Sequence, residues 1–506
     1  MKRLFNLKNI KKINTDLKGK KILIADRGRI DSLVKNYCAL KILSERFNIN
    51  PTILIHNSET SQINLLYKKL GFTKFLKTFD IKNHFLETTI FFSKTLLIFL
   101  KIIKFFFIQD FHHFIYKFKV RGINIGDLIY DRYIRDNHKY LKPSFLDISF
   151  LKYLFVTIYK VLFLDNYLEK NKIKLILINT HSYSNNYSII FKLAKKKKIN
   201  LLYLKDFQIS FFKNGQYTIE NDPRILSRKK IQSINFNNAK KRILMKYMKK
   251  RIMGKEEHFD AKNAFINKKN SIKKFLEKKI NTENFKKKIL LACHSFSDAN
   301  HFYYEFNAKS PFHDYYSQTI NTLDFAKKNP DILFLVRPHP SSRFWKEEGI
   351  MKKILQKYSS KNIILTDNRF NTDDILNFVD TIITVHGTIG IEAAGYYKIK
   401  PILAGTGLYS NLGFTFDTKR KKDLFRYVLL DKKKYKLGPK ETNIAQKALY
   451  YYFLIGRDNY KSVISRQKVL LTDQKYLRDL NNFLEKNKIE NDKYYKILRK
   501  KLELFN

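Results

Sequence analysis

A chain of 506 residues exceeds what one ordinary core serves, and with 44% hydrophobic residues it can bury two. The 99 Lys and Arg against 45 Asp and Glu leave a formal charge of +54, a field that attracts nucleic acid, an anionic membrane surface or an acidic substrate. Two cysteines exclude a disulfide framework and a cysteine-based metal cluster and fit a reducing cytoplasm.

The N-terminal stretch MKRLFNLKNIKKINTD has neither a continuous apolar run nor a small-residue cleavage site, so it is not expected to act as a secretory signal. Residues 20–31 (KKILIADRGRID) predict a short strand and a polar turn carrying Asp26. A helix over 33–47 and a strand over 51–57 follow, the opening of a Rossmann-like parallel sheet without the GxGxxG of a dinucleotide site. Residues 90–108 (IFFSKTLLIFLKIIKFFFI) are as long as a membrane span but contain Lys94, Lys101 and Lys104 on one side of a helix. Spanning a bilayer would bury those charges, whereas lying on an anionic leaflet, or packing against its own domain, would not.

Over residues 122–137 (GINIGDLIYDRYIRDN), Asp127, Asp131, Arg132 and Arg135 recur at helical spacing. Surface ion pairs account for this stripe, and a wall facing an acceptor is the functional alternative. A helix over 150–170 leads to the strand 174–180 (KLILINT), after which His181 stands at a strand's C-terminal end, where open α/β sheets bind ligands. A lone His in such a place is more often structural. Residues 199–207 are read as the last strand of this half, and the lysine-dense stretch 223–285 as a helical linker between domains.

The alternation restarts at residues 286–301 (KKKILLACHSFSDANH), a strand opening into a loop with His294, Asp298 and His301. These lie on a single loop without a second cluster at ligand spacing, so no metal site is expected. A helix over 311–330, the strand 332–340 (ILFLVRPHP) and a helix over 346–358 come next. Arg337 and His339 thereby stand at a strand end as a fixed cation and a titratable donor. Residues 381–405 (TIITVHGTIGIEAAGYYKIKPILAG) read as strand, tight turn, short helix and strand. Gly387 and Gly390 are expected to let the backbone approach a ligand, and the free N–H groups at the helix start favour a phosphate. Residues 431–506 are read as a helical tail.

The segments FSDANH (296–301), the following helix 314–326, VRPHP, HGTIGIEAAGYYKIKPILAG and YSNLGF (409–414) occur in the order and spacing of bacterial capsule and surface polysaccharide biosynthesis proteins, and IGDLIYDRYIR (125–135) is similar to a stretch in some of them. The chain resembles that family, which includes Kdo transferases and is related to GT-B glycosyltransferases. The resemblance implies an α/β, GT-B-like fold of two Rossmann-like domains with parallel sheets facing across a cleft. Residues 1–222 would form the acceptor domain, 286–430 the nucleotide-sugar domain. His339 would contact the nucleotide, His386, Gly387 and Thr388 would cradle the phosphate, and Glu392 would accept the ribose hydroxyls. Arg337 or His339 would stabilise the leaving phosphate in place of a metal, and no cofactor is expected beyond the donor substrate, a CMP-sugar first of all.

A base for the acceptor hydroxyl is sought among Asp26, Asp127, Asp131 and Asp298, with Asp298 preferred because its loop lies at a strand end. Asp26, Asp127, Asp131 and His181 make up the acceptor side. The expected protein is thus a cytoplasmic glycosyltransferase held at the inner membrane by its basic surface. Its partners would be a nucleotide-sugar, a lipid-linked or polysaccharide acceptor and other capsule biosynthesis proteins. Nothing resembles an RRM, KH or helix-turn-helix signature, so nucleic acid is not an expected partner. The alternatives are a CDP-polyol phosphotransferase or a nucleotide-sugar epimerase on the same fold, and a non-enzymatic basic scaffold.

Overall fold

The computed structural model describes residues 12–26, 28–55, 60–78, 85–101, 110–138, 143–180, 186–205, 208–217, 225–255, 264–265, 271–298, 300–301, 310–366, 370–385, 387–455, 462–465 and 474–503. The chain divides into two compact units, one of Met1–Tyr133, Ser144–Pro223 and Gly456–Asn506, the other of Ile134–Pro143 and Arg224–Ile455.

The first unit is built on a six-stranded sheet of order β3-β2-β1-β6-β7-β8. Its strands are β1 (Lys20–Ala25), β2 (Ile49–Ile55), β3 (Phe75–Lys77), β6 (Leu175–Ile178), β7 (Asn200–Lys205) and β8 (Gln208–Phe212). A small hairpin of β4 (Lys119–Val120) and β5 (Ile123–Asn124) lies between β3 and β6 in sequence. In β1 and β6 the apolar residues run without a polar alternation, because both faces of a parallel sheet are covered, and Ile22, Leu23, Ile24 and all four residues of β6 are sealed from solvent. The helix α1 (Ile30–Ser44) has 13 buried residues. It packs its Tyr37 and Leu40 into one cluster with Ile22, Ile24 and the side chains of Tyr494 and Leu498 from the C-terminal helix Lys493–Leu502. The expected parallel sheet needs one amendment: β8 follows β7 as an antiparallel partner, so residues 199–207 are not the last strand of this half.

Two further helices of this unit, α2 (Phe85–Lys101) and α4 (Ile148–Lys170), pack on each other through aromatic rings, Phe91 on Tyr159 and Phe163 and Phe92 on Phe155. Between them comes α3 (Gly126–Asn137). The expected surface stripe of α3 is largely internal: Asp127 and Asp131 are both buried, and Asp127 accepts a hydrogen bond from Lys192 at 2.6 Å and from Asn124 at 3.1 Å.

The second unit repeats the plan. Its sheet has the order β11-β10-β9-β12-β13-β14, with β9 (Lys287–Ala292), β10 (Ile332–Arg337), β11 (Ile363–Leu365), β12 (Thr381–Thr384), β13 (Ile402–Leu403) and β14 (Phe416–Asp417), all parallel. All six residues of β10 are buried. Residues 224–285 are counted in this unit; their helix α5 (Asn238–Ile252) buries Leu244, Met248 and Arg251. Where one helix was expected over 346–358, only Ile350–Leu355 is helical; it starts after Gly349 in the left-handed region, and a short 3-10 segment (Ser342–Trp345) precedes it. The C-terminal tail is shared: the helix Pro439–Tyr450 packs in the second unit, whereas Gln474–Lys486 and Lys493–Leu502 belong to the first.

Cys38 and Cys293 are buried free thiols, and burial pushes Cys293 up to about 12. Among the described residues no helix is long and apolar enough to cross a membrane.

Candidate functional site

The strand order reverses between β9 and β12, and a parallel sheet opens a crevice at the C-terminal ends of its strands at such a point. The register brings three of those ends to one level, with Arg337 beside Ala292 and Ile383 beside Leu291. The loop after β9 (residues 293–301), the Pro-His-Pro turn after β10 and the turn after β12 therefore share one edge.

His294 is the centre of that edge. Its ring lies 4.3 Å from the ring of Tyr315 and 5.3 Å from that of His339, between centroids. Its Nδ1 stands 4.0 Å from Oδ2 of Asp298, whose side chain is 32% exposed. His339 accepts the backbone N–H of Ser341 on Nδ1 at 3.2 Å. With that lone pair used, the neutral ring carries its proton on Nε2 and acts as a donor through it. The loop is fixed at two points. Asn300 accepts the N–H of Tyr315 at 2.7 Å and donates to the carbonyls of Phe296 and Asp298, which ties the loop to the helix α6 (Tyr315–Lys327). Glu347, itself buried, accepts from the N–H of Phe296 and the N–H and hydroxyl of Ser297. Burial pushes the Glu347 carboxyl above its ordinary range in spite of these bonds.

After β12 the chain turns through Gly387 into α7 (Thr388–Gly395), with Thr388 part-exposed at its first position. The Gly387 carbonyl accepts the hydroxyl of Tyr409 at 2.6 Å. Gly390 serves this packing, since a Cβ there would meet the Tyr409 hydroxyl oxygen at 2.1 Å. Gly395 likewise admits Leu449 of the helix Pro439–Tyr450.

Two side chains expected at the ligand are sealed by partners within the protein. Glu392 is 2% exposed and accepts from Nη2 of Arg251 at 2.7 Å. Arg337 is 3% exposed, and its Nη2 donates to the Phe370 carbonyl and the Thr372 hydroxyl, both at 3.1 Å, fastening the end of β10 to the helix Thr372–Phe378. His181 and His386 lie outside the described residues. In the first unit, Asp26 ends β1 at that sheet's own switch point and is buried there. It accepts from the N–H of Gly28 at 2.6 Å, from Asn36 at 2.9 Å and from the Tyr67 hydroxyl. Asp26, Asp127 and Asp131 thus stand inside their unit and Asp298 remains part-exposed at the edge of the other. Among the described residues no group of three or more His, Cys, Asp or Glu side chains is placed to hold a metal ion. Glu347 and Arg251 lie in no motif, because their partners are far off in sequence, and Tyr409, which opens the YSNLGF segment, was given no role there.

Two Rossmann-like sheets of one strand order, the second with a histidine-lined edge at its switch point, define a GT-B-like α/β fold. Residues 228–434 match the model of the capsule polysaccharide biosynthesis protein family, the family the motifs resemble. No curated protein sequence matches the chain. Among solved structures it is similar to the UDP-GlcNAc 2-epimerase from Methanocaldococcus jannaschii (12% identity over 85% of this chain and 97% of that one, TM-score 0.24). It is also similar to S. aureus MnaA in its co-structure with UDP (11%, 87% and 94%, 0.27) and to a glycosyltransferase from Rickettsia africae ESF-5 (10%, 92% and 98%, 0.21). At TM-scores of this size the fold rests on the chain's own strand order.

Proposed function

We propose that the protein is a glycosyltransferase of capsule or surface polysaccharide biosynthesis that takes its sugar from a nucleotide-activated donor, a CMP-sugar first of all. The observation that carries this reading is the set of His294, His339 and Asp298 at one sheet edge inside the segment that matches the family. In the reaction, the acceptor hydroxyl gives its proton to the Asp298 carboxylate as its oxygen bonds to the anomeric carbon and the sugar–phosphate bond breaks. The charge left on the phosphate meets the Nε2–H of His339 and the N–H groups at the start of α7.

The acceptor in this reading is a lipid-linked or polysaccharide precursor, reached from an anionic cytoplasmic leaflet. Supporting it, α2 turns Ile90, Leu96, Leu97 and Leu100 outward, at 43% to 61% exposure, while the rings of Phe91 and Phe92 hold it on α4. Lys94 is exposed beside them, and the helix has no acidic residue after Glu87. An apolar face edged with lysine suits the boundary of an anionic bilayer.

The test is thermal stabilisation and calorimetric binding of CMP, CDP and UDP to the protein and to His339→Ala. CMP is expected to bind, with the substitution weakening it by about tenfold, equivalent to about 1.4 kcal/mol. Binding of CDP alone would transfer the assignment to a polyol phosphotransferase, and no binding of any nucleotide would remove the enzyme reading.

A further inference from the structure

We propose that Glu347 is the positioning residue of the transfer site, holding the loop after β9 so that Asp298 and His294 stand against His339. The inference rests on the glycosyltransferase reading, and it concerns a side chain that does not itself meet the substrate.

Glu347 follows the Pro-His-Pro turn by a single 3-10 segment: its own N–H donates to the Ser342 carbonyl at 3.0 Å and closes that segment. The backbone of Glu347 is thereby fixed to the strand end that carries His339. Its side chain then reaches to the neighbouring strand's loop, where Oε2 accepts the N–H of Phe296 at 2.9 Å and Oε1 accepts both the N–H of Ser297 at 2.7 Å and its hydroxyl at 2.6 Å. Two successive backbone donors and a hydroxyl on one carboxylate orient the two residues immediately before Asp298. One residue thus couples the two loops whose rings lie 5.3 Å apart.

The chemistry of the side chain points to placement rather than to simple packing. Glu347 is 6% exposed, and a buried carboxylate costs free energy that an apolar side chain would not. What the carboxylate supplies in exchange is acceptors on both oxygens, so all three donors can be met at once. A glutamine of the same shape offers one acceptor oxygen; its NH2 group would face a donor, either the Phe296 N–H or the Ser297 pair. The loop would then shift by a fraction of an ångström to an ångström, a displacement of the size that costs catalysis about 10²-fold when it misplaces a reacting group.

The nucleotide contacts of the reading, His339 and the start of α7, lie outside this loop, so the substitution separates two quantities that global damage would move together. Wild type, Glu347→Gln and the milder Ser297→Ala are compared for sugar transfer from a CMP-sugar, for CMP affinity and for melting temperature. For Glu347→Gln the expected result is a kcat lowered at least about tenfold with CMP affinity changed less than about threefold. Ser297→Ala is expected to lower kcat by a smaller factor in the same direction. A Glu347→Gln protein with kcat within twofold of wild type would overturn the inference while leaving the transferase reading intact. So would a parallel loss of kcat and CMP affinity. If Glu347→Gln does not fold, an undiminished kcat in Ser297→Ala overturns it. A wild type that transfers no sugar would instead remove the reading on which it rests.

Discussion

Arg251 donates from Nη2 to Oε1 of Glu392 at 2.7 Å, with 4% and 2% of the two side chains exposed. The guanidinium also lies over the Phe453 ring, 4.4 Å from its centroid, so α5, α7 and the segment after the helix Pro439–Tyr450 meet at one buried ion pair. Removing one partner of such a pair leaves a charge in an environment that excludes water, a loss of about 3–5 kcal/mol. Glu392→Gln is therefore expected to lower the melting temperature of the second unit by many degrees, measured by calorimetry. Replacing both partners with apolar residues, Arg251→Met with Glu392→Leu, should recover part of the loss. A Glu392→Gln protein that melts like wild type but binds CMP more weakly would instead restore the ribose role that the family resemblance implies.

Gly390 and Tyr409 set a second constraint on the phosphate turn. The Tyr409 hydroxyl occupies the space beside Gly390 and reaches the Gly387 carbonyl, so Gly390→Ala must displace either the ring or α7. An expected loss of about 1–3 kcal/mol follows from overpacking, read by denaturant unfolding. Tyr409→Phe alone removes one hydrogen bond, about 1 kcal/mol. In Gly390→Ala with Tyr409→Phe the nearest obstruction is gone, and the double variant should lose less than the sum of the two single ones. Strict additivity would show that the contact does not govern the turn.

The central strands of both sheets were legible because parallel strands covered on two faces write unbroken apolar runs, as in ILFLVR and LILI, whereas the edge strands β3 and β14, three and two residues long, are too short to write one. The β7–β8 hairpin was not, since the residues between the strands are Asp and Phe rather than the Asn-Gly type of pair that marks a tight turn. In the site, the motif around His339 and the loop of Asp298 could be read because chain-local patterns place them at strand ends. The fates of Arg337 and Glu392 could not. A cation or carboxylate at a strand or helix start reads the same whether it faces a ligand or a partner within the protein, and Glu392 finds that partner 141 residues away. Glu347 is hidden for the same reason, 50 residues from the loop it holds.

The outward face of α2 carries the prediction for the membrane. A leucine fully removed from water contributes about 1.5–3 kcal/mol, so even half-immersion of three of them amounts to a few kcal/mol of partitioning. The protein is expected to float with vesicles containing phosphatidylserine, less so with neutral vesicles and less so at high salt, because Lys94 beside the face adds an electrostatic part that ions screen. Leu96→Ser, Leu97→Ser and Leu100→Ser together should weaken flotation at least about tenfold while leaving CMP binding as it is, since all three side chains point away from the packed side of their helix. A second copy of the chain is the competing occupant of this face. The formal charge of +54 opposes such pairing, and sedimentation velocity separates the two. A dimer that dissociates in the triple variant, with vesicle binding unchanged, would assign the face to self-association instead.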